Sequence, residues 1–280
     1  MIMAPFHLLL CCLLSLSTIV KGGQVLVLCP VSSPSHKNTM APVFTGLAER
    51  GHQVTVVSSW KTEPHKNIRD IIPFENFDYF PHLSAIGLRE KGVLGMVMID
   101  YKTTLGFCDS VYRNKEFMSL LDEKFNLVMM DGTFNECLLG FVHKLGAPLI
   151  IVSPFPVHNV LSMQLGNRLL PSFVPEPLLT FSHEMDFLER FLNTIVNYVS
   201  IWAWRRPYPM HEKIYRSHLG EDIPSIDEIL SNTSLILSNS HFSFTFPRPN
   251  LPDVVEIGGS HCRPGRALPK VKYVCPTFIS

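Results

Sequence analysis

The chain has 280 residues, with 24 basic and 24 acidic side chains, so its formal net charge is zero. Binding to nucleic acid needs a basic surface that displaces counterions, and this balance therefore gives no indication of a nucleic-acid partner. Hydrophobic residues make up 46% of the sequence and charged residues only 17%, a composition that excludes intrinsic disorder. The length predicts one large domain or two small ones, and either could bury a sizeable core.

The amino-terminal residues have the pattern of a secretory signal peptide. Residues 6–20 (FHLLLCCLLSLSTIV) form an apolar run that is shorter than the ~20 residues needed to cross a bilayer. The run leads into Val20 and Gly22, an arrangement that suits cleavage by signal peptidase. We therefore expect residues 1–22 to be a cleaved signal that directs the chain into the lumen of the endoplasmic reticulum. A first core strand or an uncleaved anchor is the alternative.

Cleavage at this point would leave five cysteines, namely Cys29, Cys108, Cys137, Cys262 and Cys275. Their number is odd and no two have C-x-x-C spacing, so the sequence indicates neither a disulfide framework nor a zinc site. We expect mostly buried free thiols and leave one disulfide pair open. Asn232, followed by threonine and serine, begins the only N-glycosylation sequon and is the candidate glycosylation site on a secretory route.

The mature chain begins with a strand, a loop, a helix and a second strand. Residues 24–28 (QVLVL) and 53–58 (QVTVVS) are short apolar runs typical of buried parallel strands. Between them, apolar residues recur at helical spacing from Met40 to Leu47, with Asn38 or Thr39 as the expected N-cap and Gly51 as the terminator. The intervening loop, which contains His36, would lie at the carboxyl edge of the sheet, where open α/β sheets bind ligands. It has no G-x-G-x-x-G motif and no P-loop, so it is not a standard dinucleotide or ATP cradle.

The same order of elements follows further along the chain. Residues 125–130 (FNLVMM) predict a strand that ends at Asp131, a helix follows over 137–145 with Gly146 as its terminator, and residues 147–152 predict another strand. Residues 60–123 are mixed in polarity, with helix-like pieces at 92–112 and 114–123. A long amphipathic helix is expected over 184–204, and short strands over 235–238 and 254–259. The predicted fold class is α/β with a mostly parallel sheet.

Two titratable side chains, His36 and Asp131, stand at predicted strand ends. Histidine is the usual general base at neutral pH, and a carboxylate bonded to its second ring nitrogen fixes the tautomer and stabilises the imidazolium. The alternative is that His36 is a solvated loop residue and Asp131 a helix N-cap. The other histidines show no spacing typical of metal ligands. H-E-x-x-H and G-x-S-x-G motifs are absent, which argues against a zinc protease and an α/β-hydrolase.

Several phrases of the sequence, in order, resemble the amino-terminal half of animal UDP-glycosyltransferases, the UDP-glucuronosyltransferases and their arthropod relatives. They are VLVLCPVSSPSH, GLAERGHQVTVVS, FNLVMMDGTFNECLLGFVHKLGAPLI, PSFVPEPLLTFSHEMDFLERF and LILSNSHFSFTFPRPNLPDVVEIGGSHCRP. The similarity extends over residues 24–270, nearly the whole mature chain. It implies a GT-B fold, in which a Rossmann-like amino-terminal domain binds a small lipophilic acceptor and a carboxyl-terminal domain binds the UDP-sugar. The corresponding division here is a signal peptide (1–22), the acceptor domain (23–262) and the start of an interdomain linker (263–280).

The resemblance also implies a mechanism and roles for the two side chains. His36 would be the catalytic base and Asp131 its partner, in an inverting displacement at the anomeric carbon of UDP-glucose or UDP-glucuronic acid. Metal and cofactor are not required. The acceptor pocket would be shaped by residues 60–123 and 154–204, and the phrasing favours glucose because arthropod relatives usually transfer it.

The family pattern continues into a donor-binding domain and a membrane span, whereas this sequence reads VKYVCPTFIS and ends. The expectation is a chain without turnover of its own, luminal or secreted, and anchored to the membrane only if a further half is present. The alternative functions are a non-catalytic acceptor-binding or regulatory partner and a secreted carrier of lipophilic molecules. Such a chain would expose the face that meets the donor domain, which favours homo-oligomers or pairing with full-length relatives.

Overall fold

The computed structural model of the chain describes residues 22–74, 102–177 and 179–265. Its strands form one seven-stranded sheet in which every neighbouring pair is parallel. In chain order they are β1 (Gln24–Cys29), β2 (Gln53–Ser58), β3 (Ile68–Ile71), β4 (Leu127–Asp131), β5 (Leu149–Ser153), β6 (Leu235–Ser238) and β7 (Val254–Glu256). Their order across the sheet is β3-β2-β1-β4-β5-β6-β7. The predicted α/β fold with a parallel sheet is therefore confirmed.

Helices connect these strands and cover both faces of the sheet. They are α1 (Pro34–Glu49), α2 (Lys102–Arg113), α3 (Lys115–Ser119), α4 (Leu139–Leu145), α5 (Asn159–Gln164), α6 (Phe187–Arg205), α7 (Tyr208–Leu219), α8 (Ile226–Ser231) and α9 (Phe242–Thr245). Two 3₁₀ turns, Leu120–Asp122 and Glu136–Leu138, precede β4 and α4. Among the described residues, no helix is both long and apolar enough to cross a membrane. The predicted signal peptide and most of the predicted linker lie outside the described residues, and the boundary at residue 262 stays a prediction.

The two-residue period of a strand divides the core into two layers. In β1, Leu26 and Leu28 face a layer built with α2, α4, α7 and α8, whereas Val25, Val27 and Cys29 face a layer built with α1. All five side chains are buried. A strand that is apolar on both faces suits the centre of a parallel sheet covered on both sides. Burial on both faces also fixes the position of the end of β1, next to which the candidate site lies.

The structure corrects several of the predicted boundaries. Strands β2 and β6 have the predicted ends, but α1 begins at Pro34 rather than beside Asn38, because Ser33 caps it and proline suits the first helical turn. Helix α6 begins at Phe187, three residues later than predicted, after a capping box formed by Asp186 and Glu189. Strand β3 and helices α5, α7, α8 and α9 were not predicted. The piece at 92–112 lies only in part within the described residues, where α2 ends at Arg113.

Among the described cysteines, the expectation of mostly buried free thiols is wrong in part, and the possibility of one disulfide pair is confirmed. Cys108 of α2 and Cys137 of the second 3₁₀ turn form a disulfide bond, and Cys262 is an exposed free thiol. Cys29 is a buried free thiol as expected, and burial raises its pKa to about 12. The disulfide spans 29 residues of sequence, a separation that carries no pairing signal by itself. Cys275 lies outside the described residues.

Candidate active site

The side chains of His36 and Asp131 meet at the carboxyl edge of the sheet. Nδ1 of His36 lies 2.8 Å from Oδ2 of Asp131, although the two residues are 95 positions apart in the chain. They are brought together because β1 and β4 are neighbours in register, with Leu28 opposite Met130. The histidine side chain keeps 15% of its surface exposed and the aspartate 1%. A partly exposed imidazole held by a buried carboxylate is the arrangement of a general base and its orienting partner.

His36 stands on the first turn of α1. The Ser33 hydroxyl caps this turn, accepting a hydrogen bond from the His36 backbone N–H at 3.5 Å. The imidazole lies edge-on to Phe155, with ring centroids 6.2 Å apart. Helical backbone restricts side-chain rotamers, so this placement orients the imidazole better than a loop would. The alternative of a solvated loop residue is therefore wrong for His36.

Asp131 is not a helix N-cap either. Its Oδ1 accepts a hydrogen bond from the backbone N–H of Thr133 at 3.1 Å, and the next turn of helix begins only at Glu136. Burial raises the pKa of Asp131 above its ordinary value, while the bond from His36 and the Thr133 N–H act in the opposite direction. Both of its oxygens thus have a donor, as a buried carboxylate requires.

The loop that leads from β1 to His36 is held from two sides. On the side of β2, the indole Nε1 of Trp60 donates to the carbonyl of Ser32 at 3.0 Å. On the side of β4, the amide of Asn135 bonds both backbone groups of Val31: its Oδ1 accepts from the N–H at 3.0 Å and its Nδ2 donates to the carbonyl at 3.1 Å. These contacts join three loops that are far apart in sequence.

Further polar and aromatic groups surround the strand end at Asp131. Loss of contact with water raises the pKa of Glu136 to about 7, and the charge of Asp131 acts in the same direction. His158 stacks on Trp204, with centroids 5.0 Å apart and planes 5° from parallel, and burial lowers its pKa to about 4. Glu136, His158 and Trp204 line a cavity of about 10 Å³. This cavity has room for a single water molecule and not for an organic acceptor.

Sequence reasoning did not find Asn135, Glu136 or His158. His158 lacks the spacing of a metal ligand, and asparagine beside a predicted helix start is usually a cap. The one available signal was their position directly after predicted strands, which places them at the carboxyl edge of the sheet. Within the described ranges, no group of three or more histidine, cysteine, aspartate or glutamate residues could hold a metal ion.

The sequon residue Asn232 lies on the surface just after α8, far along the chain from the dyad. Its side chain is exposed, and its Nδ2 donates to the carbonyl of Glu228 at 3.0 Å. An exposed asparagine at a helix end is accessible to modification. Its glycosylation stays a prediction.

Comparison with protein-family models gives a match over residues 89–275, to the family described as UDP-glucoronosyl and UDP-glucosyl transferase. This match covers more than half of the chain. Similar proteins include UDP-glucosyltransferase 2 of Dactylopius coccus, 29% identical over 94% of this chain and 53% of its own length. UDP-glucuronosyltransferase 2A3 of Cavia porcellus is 28% identical over 84% of this chain and 49% of its own length. The chain thus spans about half the length of these relatives.

Among solved structures, a crystal structure of the glycotransferase of kitacinnamycin superposes with a TM-score of 0.46 at 12% identity. The superposition covers 91% of this chain and 55% of that protein.

Proposed function

The chain belongs to the UDP-glucoronosyl and UDP-glucosyl transferase family, and we propose that it supplies the acceptor-activating half of a UDP-dependent glycosyl transfer. The observation that carries this proposal is the 2.8 Å contact between His36 Nδ1 and Asp131 Oδ2 at the carboxyl edge of the sheet. The names of the relatives support a sugar donor of the UDP-glucose or UDP-glucuronic acid type. The acceptor in this proposal is a small lipophilic alcohol or phenol.

In the proposed reaction, His36 acts as the general base. With Nδ1–H donating to Asp131, the ring carries its lone pair on Nε2 and can accept the proton of the acceptor hydroxyl. The hydroxyl oxygen forms a bond to the anomeric carbon as the bond from that carbon to the UDP phosphate oxygen breaks, so configuration inverts. The proton remains on Nε2, and the Asp131 carboxylate stabilises the imidazolium. UDP leaves with the electron pair of the broken bond.

The remaining requirement is a site that stabilises the departing diphosphate. A general base alone accelerates a reaction by ~10²–10⁴-fold. Much of the remaining acceleration comes from oriented hydrogen-bond donors at the developing charge. The family resemblance assigns those donors to a second domain in the GT-B arrangement. We therefore propose that turnover requires that domain, from the same polypeptide or from a partner.

A complementation assay tests this function. The purified 280-residue chain is incubated with radiolabelled UDP-glucose or UDP-glucuronic acid and a panel of phenols, alone and together with the separately expressed carboxyl-terminal half of UDP-glucosyltransferase 2 of Dactylopius coccus. Glycoside is expected with the added half and should be lost on His36→Ala. His143→Ala, which replaces an exposed histidine of α4, is the matched control and should retain activity.

The same assay separates catalysis from simple binding. An acceptor-binding or regulatory role is the second candidate function. It predicts that a hydrophobic phenol binds to the chain without UDP-sugar, measured by calorimetry, while glycoside fails to form under every condition. Glycoside formation that is unaffected by His36→Ala would refute the base assignment.

We also propose that the chain works in an oxidising secretory compartment, the lumen of the endoplasmic reticulum. The predicted signal, the Cys108–Cys137 disulfide and the exposed sequon at Asn232 support this. Expression in animal cells should give a protein whose electrophoretic mobility increases after glycosidase treatment. Asn232→Gln should abolish that shift, and a wild-type protein without a shift would contradict glycosylation.

A further inference from the structure

Each member of the dyad adjoins a loop: one loop, residues 30–33, joins β1 to the helix that carries His36, and the other, residues 132–135, follows Asp131 at the end of β4. Pairing between β1 and β4 extends only to Leu28 and Met130. Beyond these residues, the chain from β1 runs through a loop before it reaches His36 on the first turn of α1, and Asp131 pairs with Val152 of β5 rather than with β1. A ring nitrogen and a carboxylate oxygen 2.8 Å apart require a more precise constraint than strand pairing alone.

Asn135 provides a direct link between the two loops. It is fully buried, and its amide bonds both the N–H and the carbonyl of Val31, which is also fully buried. Its Nδ2 donates as well to the carbonyl of Thr133 in its own loop, at 2.7 Å. Two bonds to one residue fix the orientation of that stretch of backbone as well as its distance, as in an ordinary strand pair.

The loop that carries Asn135 is itself constrained. The Gly132 N–H donates to Val152 at 3.0 Å, and Phe134 adopts a left-handed backbone conformation with φ of 62°. This conformation is costly for a residue with a Cβ, and strained residues of this kind persist where the surroundings over-determine them. Here the turn at Phe134 directs the next side chain, Asn135, toward Val31.

We propose that Asn135 is a positioning residue that holds the loop between β1 and α1 against the loop that follows β4, so that Nδ1 of His36 reaches Asp131. This inference rests on the proposed function, because it concerns the orientation of the proposed base. Asparagine suits the position, since it offers an acceptor and a two-proton donor on one short, rigid group. Alanine offers neither, and an aspartate keeps the acceptor but turns an oxygen toward two carbonyls.

The chain contains a matched control. Asn193 of α6 is also fully buried and also makes three bonds to backbone: Oδ1 accepts from Glu176 at 2.8 Å, and Nδ2 donates to Pro171 and Val174 at 2.6 and 2.9 Å. These three bonds go to the segment before α6, and not to the dyad or its two loops. Removing either amide should destabilise the fold by a similar amount, but only one of them should disturb His36.

The experiment is NMR of the histidine ring nitrogens in the folded 280-residue chain, with His36 assigned by comparison with His36→Ala. In the wild type, His36 is expected as the tautomer protonated on Nδ1. In Asn135→Ala and Asn135→Asp, this signal should change to that of a mixture of tautomers. Asn193→Ala should leave the His36 signal as in the wild type.

Turnover provides the second readout, with the complemented enzyme described above. A misplaced base lowers kcat by about 10²-fold, with little change in the KM for UDP-sugar. If Asn135→Ala does not fold, the proposal is tested with the Asn135→Asp variant, because aspartate preserves the side-chain volume. An unchanged His36 spectrum in folded Asn135→Asp would overturn the proposal even if catalysis is confirmed. A changed spectrum supports it even if the chain proves to have no turnover, because the NMR measurement is independent of the reaction.

Discussion

Helices α1 and α6 are both amphipathic, but they face the protein in opposite ways. In α1, Met40 and Phe44 are buried against the sheet, in the arrangement expected for a surface helix of a globular domain. In α6, three of the four buried residues are polar, namely Asn193, Asn197 and Ser200, with Ala203 as the fourth, and many of the large apolar side chains are exposed. The exposed apolar and aromatic residues of α6 are Phe187, Leu188, Phe191, Leu192, Ile195, Tyr198 and Trp202.

The difference shows that two distinct forces hold the two helices. Helix α1 is held by removal of apolar surface from water, the dominant favourable term in folding. The amino-terminal part of the inner face of α6 is held by hydrogen bonds to the proline-rich segment before it, through Asn193 and through the bond from Asn197 to Glu176. Near the end of the helix, Ile201 and Trp204 pack against the apolar core. Loss of one of these bonds would leave a buried polar group without a partner, which is costly.

The largest effect on stability is expected for the buried apolar face of α1. Phe44 of α1 is fully buried, so Phe44→Ala should lower the free energy of unfolding by about 3–5 kcal/mol. The measurement is urea denaturation followed by circular dichroism. A loss below about 1 kcal/mol would mean that α1 does not depend on apolar packing.

The second largest effect is expected for the polar face of α6. Asn193→Ala would leave buried backbone groups of Pro171, Val174 and Glu176 without their partner, at a cost of about 2–4 kcal/mol. The same denaturation assay measures it. Thr194→Ala, at a partly exposed neighbour on the same helix, is the control and should cost far less. Equal losses for both variants would contradict a structural role of the buried amide.

The contribution of Glu176, which bonds Asn197 of α6, to the stability of the fold should depend on pH. Burial raises its pKa from an ordinary value of 4.5 to about 7, so the folded state binds the proton more tightly than the unfolded state. Its contribution to stability is complete below pH 4.5 and is lost as the pH rises through about 7. Glu176→Gln removes this titration. The stability of the variant relative to the wild type should therefore rise between pH 4.5 and pH 8, by about 1–3 kcal/mol.

Denaturation at pH 4.5 and pH 8 measures this difference. Glu184→Gln, which removes an exposed carboxylate from the same part of the chain, is the control. A Glu176→Gln variant whose stability relative to the wild type is the same at both pH values would rule out the raised pKa.

The smallest effect on stability is expected on the exposed face of α6. Phe191 has 54% of its surface exposed, so Phe191→Ala should change the free energy of unfolding by less than about 0.5 kcal/mol. It should nevertheless reduce self-association, measured by light scattering, because it removes part of an exposed apolar patch. A large loss of stability would show that this face is covered in solution.

Much of the fold was readable from the sequence because parallel strands buried on both faces are continuous apolar runs. Strands β1, β2, β4, β5 and β6 were predicted with boundaries correct to about two residues. Strand β3 was missed because the segment IRDI includes an arginine and an aspartate, which are compatible with an edge strand but do not predict one. Helix α7 was missed because its polar residues obscure the apolar periodicity.

The sequence by itself determined the α/β class with a parallel sheet and placed His36 and Asp131 near strand ends, because local periodicity decides where strands and helices form. Only the tertiary structure decided that their side chains meet, that Asn135 bonds Val31, that Cys108 pairs with Cys137, and that α6 turns its polar face inward. Each of these depends on contacts between residues far apart in the chain. Such contacts follow from three-dimensional packing and hydrogen-bond geometry, which leave no periodic signal in a single sequence.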